Sequence, residues 1–183
     1  MALNLQKGNR ISLVKENGGQ AIKNVTLGLG WDTGRQQIDL DAGCGTFDEA
    51  GNLLEAVFFR NLRSANGSIV HTGDNLTGAG DGDDEQIKID LSKVDAKVKN
   101  IVFTVNSFRG QKFTAVENAF VRILNDAGVE VCRFNLSEKF PTTGLVMARL
   151  YRHNDEWKFA TIGEGVDGQT IKDMVGKIKT LLG

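Results

Sequence analysis

"VTLGLGWD", residues 25–32, changes character at every step: Val25, Leu27, Leu29 and Trp31 alternate with Thr26, Gly28, Gly30 and Asp32. Successive side chains of an extended chain point to opposite faces, so this pattern predicts a half-buried strand. The next segment repeats it. In "QIDLDAGC", residues 37–44, Ile38, Leu40, Ala42 and Cys44 share a face, which sets Asp39 and Asp41 together on the other. "QIKIDL", "NIVFTVNSF", "NAFVRIL" and "VEVCRFNL" continue the alternation, and Gly, Asn and Asp punctuate the chain between them. "NDAG" at 125–128 predicts a hairpin turn, and "LVMARLYRH" with "EWKFATIG" predicts a second hairpin closed around His153 and Asn154.

The C-terminus changes period. In "TIKDMVGKIKTLL", residues 170–182, Ile171, Met174, Val175, Ile178, Leu181 and Leu182 follow helical spacing. Asp173 stands in the first turn and Lys177 and Lys179 in the last, which suits the helix dipole. The polar face carries little excess of basic residues, so packing across the strands is favoured over a membrane anchor. No βαβ rhythm, internal repeat or linker is visible. The expected fold is therefore mostly β: a β-sandwich of antiparallel-rich sheets with a C-terminal amphipathic helix, one domain over residues 1–183.

Composition narrows the function. The 183 residues are 40% apolar and 25% charged with a net charge of −1, which suits a soluble globular chain and gives no overall attraction to nucleic acid or anionic membrane. The start "MALNLQKGNR" has no signal-peptide pattern, and no run approaches the length of a membrane span, so a cytoplasmic location is expected. Cys44 and Cys132 are far apart and outside any CxxC, which predicts buried thiols rather than a zinc site, disulfide or redox centre.

Charge is concentrated in "HTGDNLTGAGDGDDEQIKIDL", residues 71–91, where Asp74, Asp81, Asp83, Asp84 and Glu85 fall with Gly78, Gly80 and Gly82 and no Lys or Arg before Lys88. Calcium takes six to eight oxygen ligands, often several carboxylates with backbone carbonyls, and a Gly-rich loop fixed between strands can aim both inward. An ordinary solvated acidic turn is the competing reading. An EF-hand is excluded, because numbering from Asp74 puts Leu76, Gly78 and Ala79 where acids and the turn glycine belong. A phosphate loop is excluded by the missing Walker lysine and by the carboxylates themselves. Magnesium prefers fewer protein ligands, so calcium is favoured. Asp32, Asp39 and Asp41 at neighbouring strand ends can join the same rim or simply face solvent, and Asp48 in "FDEAGN" reads as a turn residue. "WDTG" at 31–34 occurs once and beside acids, which argues against an aspartic protease. His71 reads as an orienting hydrogen-bond residue, and spacing proposes no catalytic pairing.

Five ordered motifs then carry a resemblance: "LGLGWD" at 27–32, "IDLDA" at 38–42, "NGSIVHTGDN" at 66–75, "GDGDDE" at 80–85 and "YRHNDEWKF" at 151–159. Together the sequence resembles the TerD-domain family of tellurium-resistance and stress proteins almost end to end. "TVNSFRGQKF", "VENAF" and "RFNLS" are similar to its TerZ branch. The resemblance implies a β-sandwich that binds calcium, as two ions, in bacterial tellurite resistance and general stress response. It maps the metal positions onto Asp32, Asp39, Asp41, Asp74, Asn75, Asp81, Asp83, Asp84 and Glu85. The expected activity is a non-catalytic, metal-dependent structural or interaction module, with other stress-resistance proteins as partners, near the membrane but without a transmembrane segment. The alternative is a hydrolase-type enzyme using the acids as a catalytic cation site.

Overall fold

A computed structural model describes residues 2–32, 40–73, 83–136 and 138–182, with residues 115 and 117 described by their backbone alone. Of the metal positions mapped above, Asp39, Asp74, Asn75 and Asp81 lie outside the described residues.

Two six-stranded sheets face each other. The first orders β1 (Leu3–Leu5), β10 (Glu130–Leu136), β9 (Glu117–Leu124), β3 (Asn24–Asp32), β7 (Glu85–Asp90) and β6 (Ile69–His71). The second orders β2 (Arg10–Ser12), β12 (Glu156–Gly165), β11 (Gly144–His153), β8 (Asn100–Ser107), β4 (Leu40–Phe47) and β5 (Leu53–Val57). Every pairing is antiparallel except β1 with β10. The edge strands are short: β1, β2 and β6 have three residues each and β5 has five. That brevity limits the unpaired backbone offered to other chains.

The alternation of the sequence is cashed out between the sheets. Val25, Leu27 and Leu29 from β3 pack with Leu40, Ala42 and Cys44 from β4 in one apolar cluster, and Trp31 covers its end. Both thiols are buried there, and desolvation drives Cys132 up to about 12 and Cys44 higher still, so neither supplies a thiolate at neutral pH.

The C-terminal segment opens as a 3-10 turn, Ile171–Met174, before continuing as α2 (Val175–Leu181). Asp173 caps its start, with Oδ2 accepting from the Gln169 and Thr170 N–H groups while its own N–H donates to Thr170 O. Ile171, Met174 and Ile178 pack on Phe47, Val102 and Val146 in a second cluster. The helix thus covers the outer face of the second sheet, and the inter-sheet core is complete without it. A short α1 (Leu13–Glu16), capped by the Ser12 hydroxyl, was not signalled by periodicity. The turn at 125–128 forms as expected, with the Gly128 N–H donating to Asn125 O. The second hairpin turns one residue later than expected, at Asn154 and Asp155, whose positive φ angles of 50° and 62° suit a tight two-residue turn.

Candidate metal site

Three strand ends from the two sheets meet at one end of the sandwich. β3 finishes at Asp32, β4 begins at Leu40 with Asp41 next, and β7 begins at Glu85. Glu85 ties the sheets together: its Oε2 accepts from the Ala42 N–H of β4 at 2.6 Å and lies 3.0 Å from His71 Nε2 of β6. Both side chains are buried. His71 Nδ1 accepts from the Gly73 N–H at 2.9 Å, so the ring carries its proton on Nε2 and donates it to Glu85. The orienting role expected of His71 is the one it has.

Asp84 lies between this inter-sheet tie and β3. Its backbone N–H donates to Leu29 O at 2.8 Å, and its Oδ2 accepts from the Trp31 N–H at 2.8 Å. The other oxygen, Oδ1, has no partner among the described residues. Burial pushes the Asp84 carboxyl above the ordinary carboxylate range; the Trp31 hydrogen bond opposes this, and the charges of Asp83 and Asp32 reinforce it. Asp83 and Asp32 thus add negative charge beside the Asp84 carboxylate. Asp32 is exposed and Asp41 half-buried beside this rim.

Asp83 takes a different direction. Its side chain is 2% exposed and lies on the outer face of the first sheet, over Gly28. Arg122 of β9 grips it bidentately, Nε to Oδ1 at 2.8 Å and Nη2 to Oδ2 at 2.9 Å, and Gln86 Nε2 donates to Oδ2 at 2.9 Å. The pair holds the Arg122 guanidinium above its ordinary pKa, chiefly through the hydrogen bonds to Asp83. Arg122 Nη1 also reaches Glu130 at 3.5 Å, Glu130 accepts from Arg133 at 2.9 Å, and Arg133 stacks on Phe120 at 4.4 Å from the ring centre. Phe120 in turn occupies the space over Gly30. A methyl group at either glycine would collide with these occupants. Arg122 escaped the sequence reading because "NAFVRIL" looks like any strand with one solvent-facing arginine. The signal was in β3: two glycines on one strand face leave a groove that something must fill.

Among the described residues, no three His, Cys, Asp or Glu side chains converge on a point fit for a metal. Asp32, Asp41, Asp84 and Glu85 offer oxygen donors and no sulfur, the chemistry a hard cation requires, and Asp84 is half-buried with no partner on Oδ1 among the described residues. Asp48 is the turn residue expected, accepting from the Asn52 N–H at 2.8 Å. In "YRHNDEWKF", Arg152 stacks on Trp157 at 4.4 Å and donates to Val98 O and Val94 O, so that motif organises the fold.

The fold defines a class: a two-sheet, largely antiparallel β-sandwich, here with Asp32, Asp41, Asp84 and Glu85 at neighbouring strand ends. The family model of the TerD domain matches residues 1–177, and the chain belongs to that family. It is 44% identical to tellurium resistance protein TerZ of Serratia marcescens over 94% of each chain. It is 43% identical to general stress protein 16U of Bacillus subtilis (strain 168), over 92% of this chain and 93% of that protein. The solved structure of a homologue of telluride resistance protein (TerD) from Streptomyces coelicolor A3(2) superposes with a TM-score of 0.69 at 21% identity, covering 85% of this chain and 96% of that one. These relatives are named as resistance or stress proteins, and the structural likeness supports the fold. No helix among the described residues is long and apolar enough to cross a membrane.

Proposed function

We propose that the chain is a non-catalytic calcium-binding module of bacterial tellurite resistance and general stress response, acting through metal-dependent structure or interaction. The observation that carries this reading is the placement of Asp84: a half-buried carboxylate at the meeting strand ends, held through Oδ2 by the Trp31 N–H, with no partner on Oδ1 among the described residues and with burial and the charges of Asp83 and Asp32 raising its pKa. A divalent cation there offsets the repulsion that folding imposes. Asp32, Asp41 and Glu85 are the further described candidates, with Asp39, Asp74, Asn75 and Asp81 supplied from outside the described residues, and two ions are expected. The non-catalytic part rests on His71, whose two ring nitrogens are both engaged, and on thiols held protonated by burial.

Calorimetric titration of chelator-stripped protein with calcium tests the reading. Two equivalents with oxygen-site selectivity over magnesium are expected, and Asp84→Asn should lose one of them. Wild-type protein that takes up no calcium would return the acidic segment to a solvated turn.

A further inference from the structure

The sequence groups Asp83, Asp84 and Glu85 as three acids of one run, yet their carboxylates do three different things. Glu85 reaches inward to the second sheet, Asp84 accepts from β3 at the rim, and Asp83 lies on the outer face of the first sheet. The chain bends at Asp84, which lets its two neighbours grip opposite faces of one sheet. We propose that Asp83 is no calcium ligand and that Asp83 with Arg122 forms a latch, seated on Gly28, that positions Asp84 for the cation. The proposal rests on the calcium reading above and removes Asp83 from the metal positions that the sequence resemblance implied.

Three observations carry it. The first is occupancy: a carboxylate offers about four lone-pair positions, and three N–H donors from Arg122 and Gln86 already fill three of those on Asp83. The second is charge. A guanidinium in bidentate contact neutralises the carboxylate, and any cation close enough to be bound by Asp83 would sit against that positive group. The third is steric preparation, since β3 presents no side chain at residue 28 and the carboxylate fills the space a Cβ would take. The latch is itself braced through Glu130 and Arg133 to Phe120 over Gly30, which fixes Arg122 from its far side. With Asp83 pinned outside and Glu85 pinned inside, the intervening Asp84 has little freedom. Its Oδ1 is held in one place before any ion arrives, which is how residues that ligate nothing raise metal affinity.

A ligand and a latch respond to mutation with opposite signs once metal is removed. Deleting a ligand charge from a crowded acidic site relieves repulsion, whereas deleting either half of a buried ion pair strands the other. In excess chelator, Asp83→Asn and Arg122→Gln should each lower the melting temperature by several degrees, the double variant should be no worse than the poorer single one, and Asp84→Asn should not lower it. In calcium calorimetry well below those melting temperatures, Arg122→Gln should keep the wild-type stoichiometry while affinity falls about 10- to 100-fold, the range typical of lost supporting contacts around metal ligands. Arg122→Lys, which keeps the charge and loses the fork, should fall between and serves if Arg122→Gln does not fold. The proposal is overturned if Asp83→Asn stabilises the metal-free protein and removes a calcium equivalent, or if the Arg122 variants bind calcium as tightly as wild type. Wild-type protein that binds no calcium would sink the calcium reading and the positioning role with it. The chelator melts would then still report whether the ion pair holds the fold.

Discussion

Each sheet has an outer face, and each outer face is built over a pair of alternating glycines, but the two grooves are filled by opposite chemistry. In the first sheet Gly28 and Gly30 of β3 receive the Asp83 carboxylate and the Phe120 ring, linked through Arg122, Glu130 and Arg133. In the second, Gly43 and Gly45 of β4 receive Ile171 of the C-terminal segment, and a methyl at Gly45 would stand 2.9 Å from Ile171 Cδ1. Glycine at i and i+2 on the face away from the core therefore announces close approach without saying by what. The apolar occupant closes a second core, while the ionic one reaches the acidic rim through Asp83 and Asp84. One face serves stability, and the other adjoins the proposed site.

The largest effect should come from emptying the apolar groove. Ile171 is 1% exposed among Phe47, Val102 and Met174, so Ile171→Ala should cost about 2–5 kcal/mol in chemical denaturation. Because nothing ionic is involved, the loss should be the same at low and high salt, with calcium affinity unchanged in the protein that remains folded. A strongly salt-dependent loss would undo the contrast between the faces. Calcium is expected to act at the other groove's end. If it binds the native state alone, stability rises by about 2.7 kcal/mol at a hundredfold excess over Kd. Melting in calcium and then in chelator should differ by several degrees, with magnesium producing less. Coincident melts at a calcium concentration that saturates the site by calorimetry would contradict that linkage.

The architecture was legible where one strand's own pattern is enough. Val25 through Trp31 and Leu40 through Cys44 read correctly as strands facing a core, because period two depends only on neighbours along the chain. Which sheet each joins was not legible. β3 and β4 follow one another yet belong to different sheets, and nothing in either alternation names its partner. The hairpin at Asn154 and Asp155 shifted by one residue because either of two adjacent pairs contains an asparagine, and only the left-handed backbone of both residues decides. α1 is four residues long, too short for a helical period to show. For the site, the acidic run was visible in the sequence, but not the fates of its consecutive acids: Asp83 and Glu85 are separated by the bend at Asp84 and by Arg122, 39 residues downstream of Asp83.

Two glycine substitutions sharpen the comparison further. Gly45→Ala meets Ile171, Phe47 and Leu53, and Gly28→Ala meets the Asp83 carboxylate, so each should cost about 1–3 kcal/mol through overpacking. Their consequences for calcium should diverge. Gly45→Ala should leave affinity as it is, whereas Gly28→Ala should weaken it by lifting Asp83 from its seat. Equal calcium affinities in the two variants would show that the seat over Gly28 does not communicate with the rim.

The smallest effect concerns Asp84 in chelator, and its sign is what matters. Its carboxyl is raised in the folded protein, first by burial and then by the charges of Asp83 and Asp32, with the Trp31 hydrogen bond opposing. A carboxyl raised on folding binds protons more readily in the native chain than in the unfolded one. Its ionisation therefore costs stability at neutral pH, and the cost disappears as pH falls through the folded value towards the unfolded value near 4. Asp84→Asn keeps an oxygen to accept from the Trp31 N–H and removes the charge, so the metal-free variant should be more stable than wild type at pH 7. Because this carboxyl is partly open to solvent, screening limits the gain to about 0.5 kcal/mol or less. The difference should close as pH is lowered towards 4, measured as paired denaturation curves so that Asp48, Asp90 and Asp126, which shift the other way, cancel. If the rim binds calcium as proposed, calcium should invert the order, since the charge that destabilises the metal-free rim would then be a ligand. A variant less stable than wild type in chelator at pH 7 would make Asp84 a structural hydrogen-bond acceptor and would count against the proposed cation at this carboxyl.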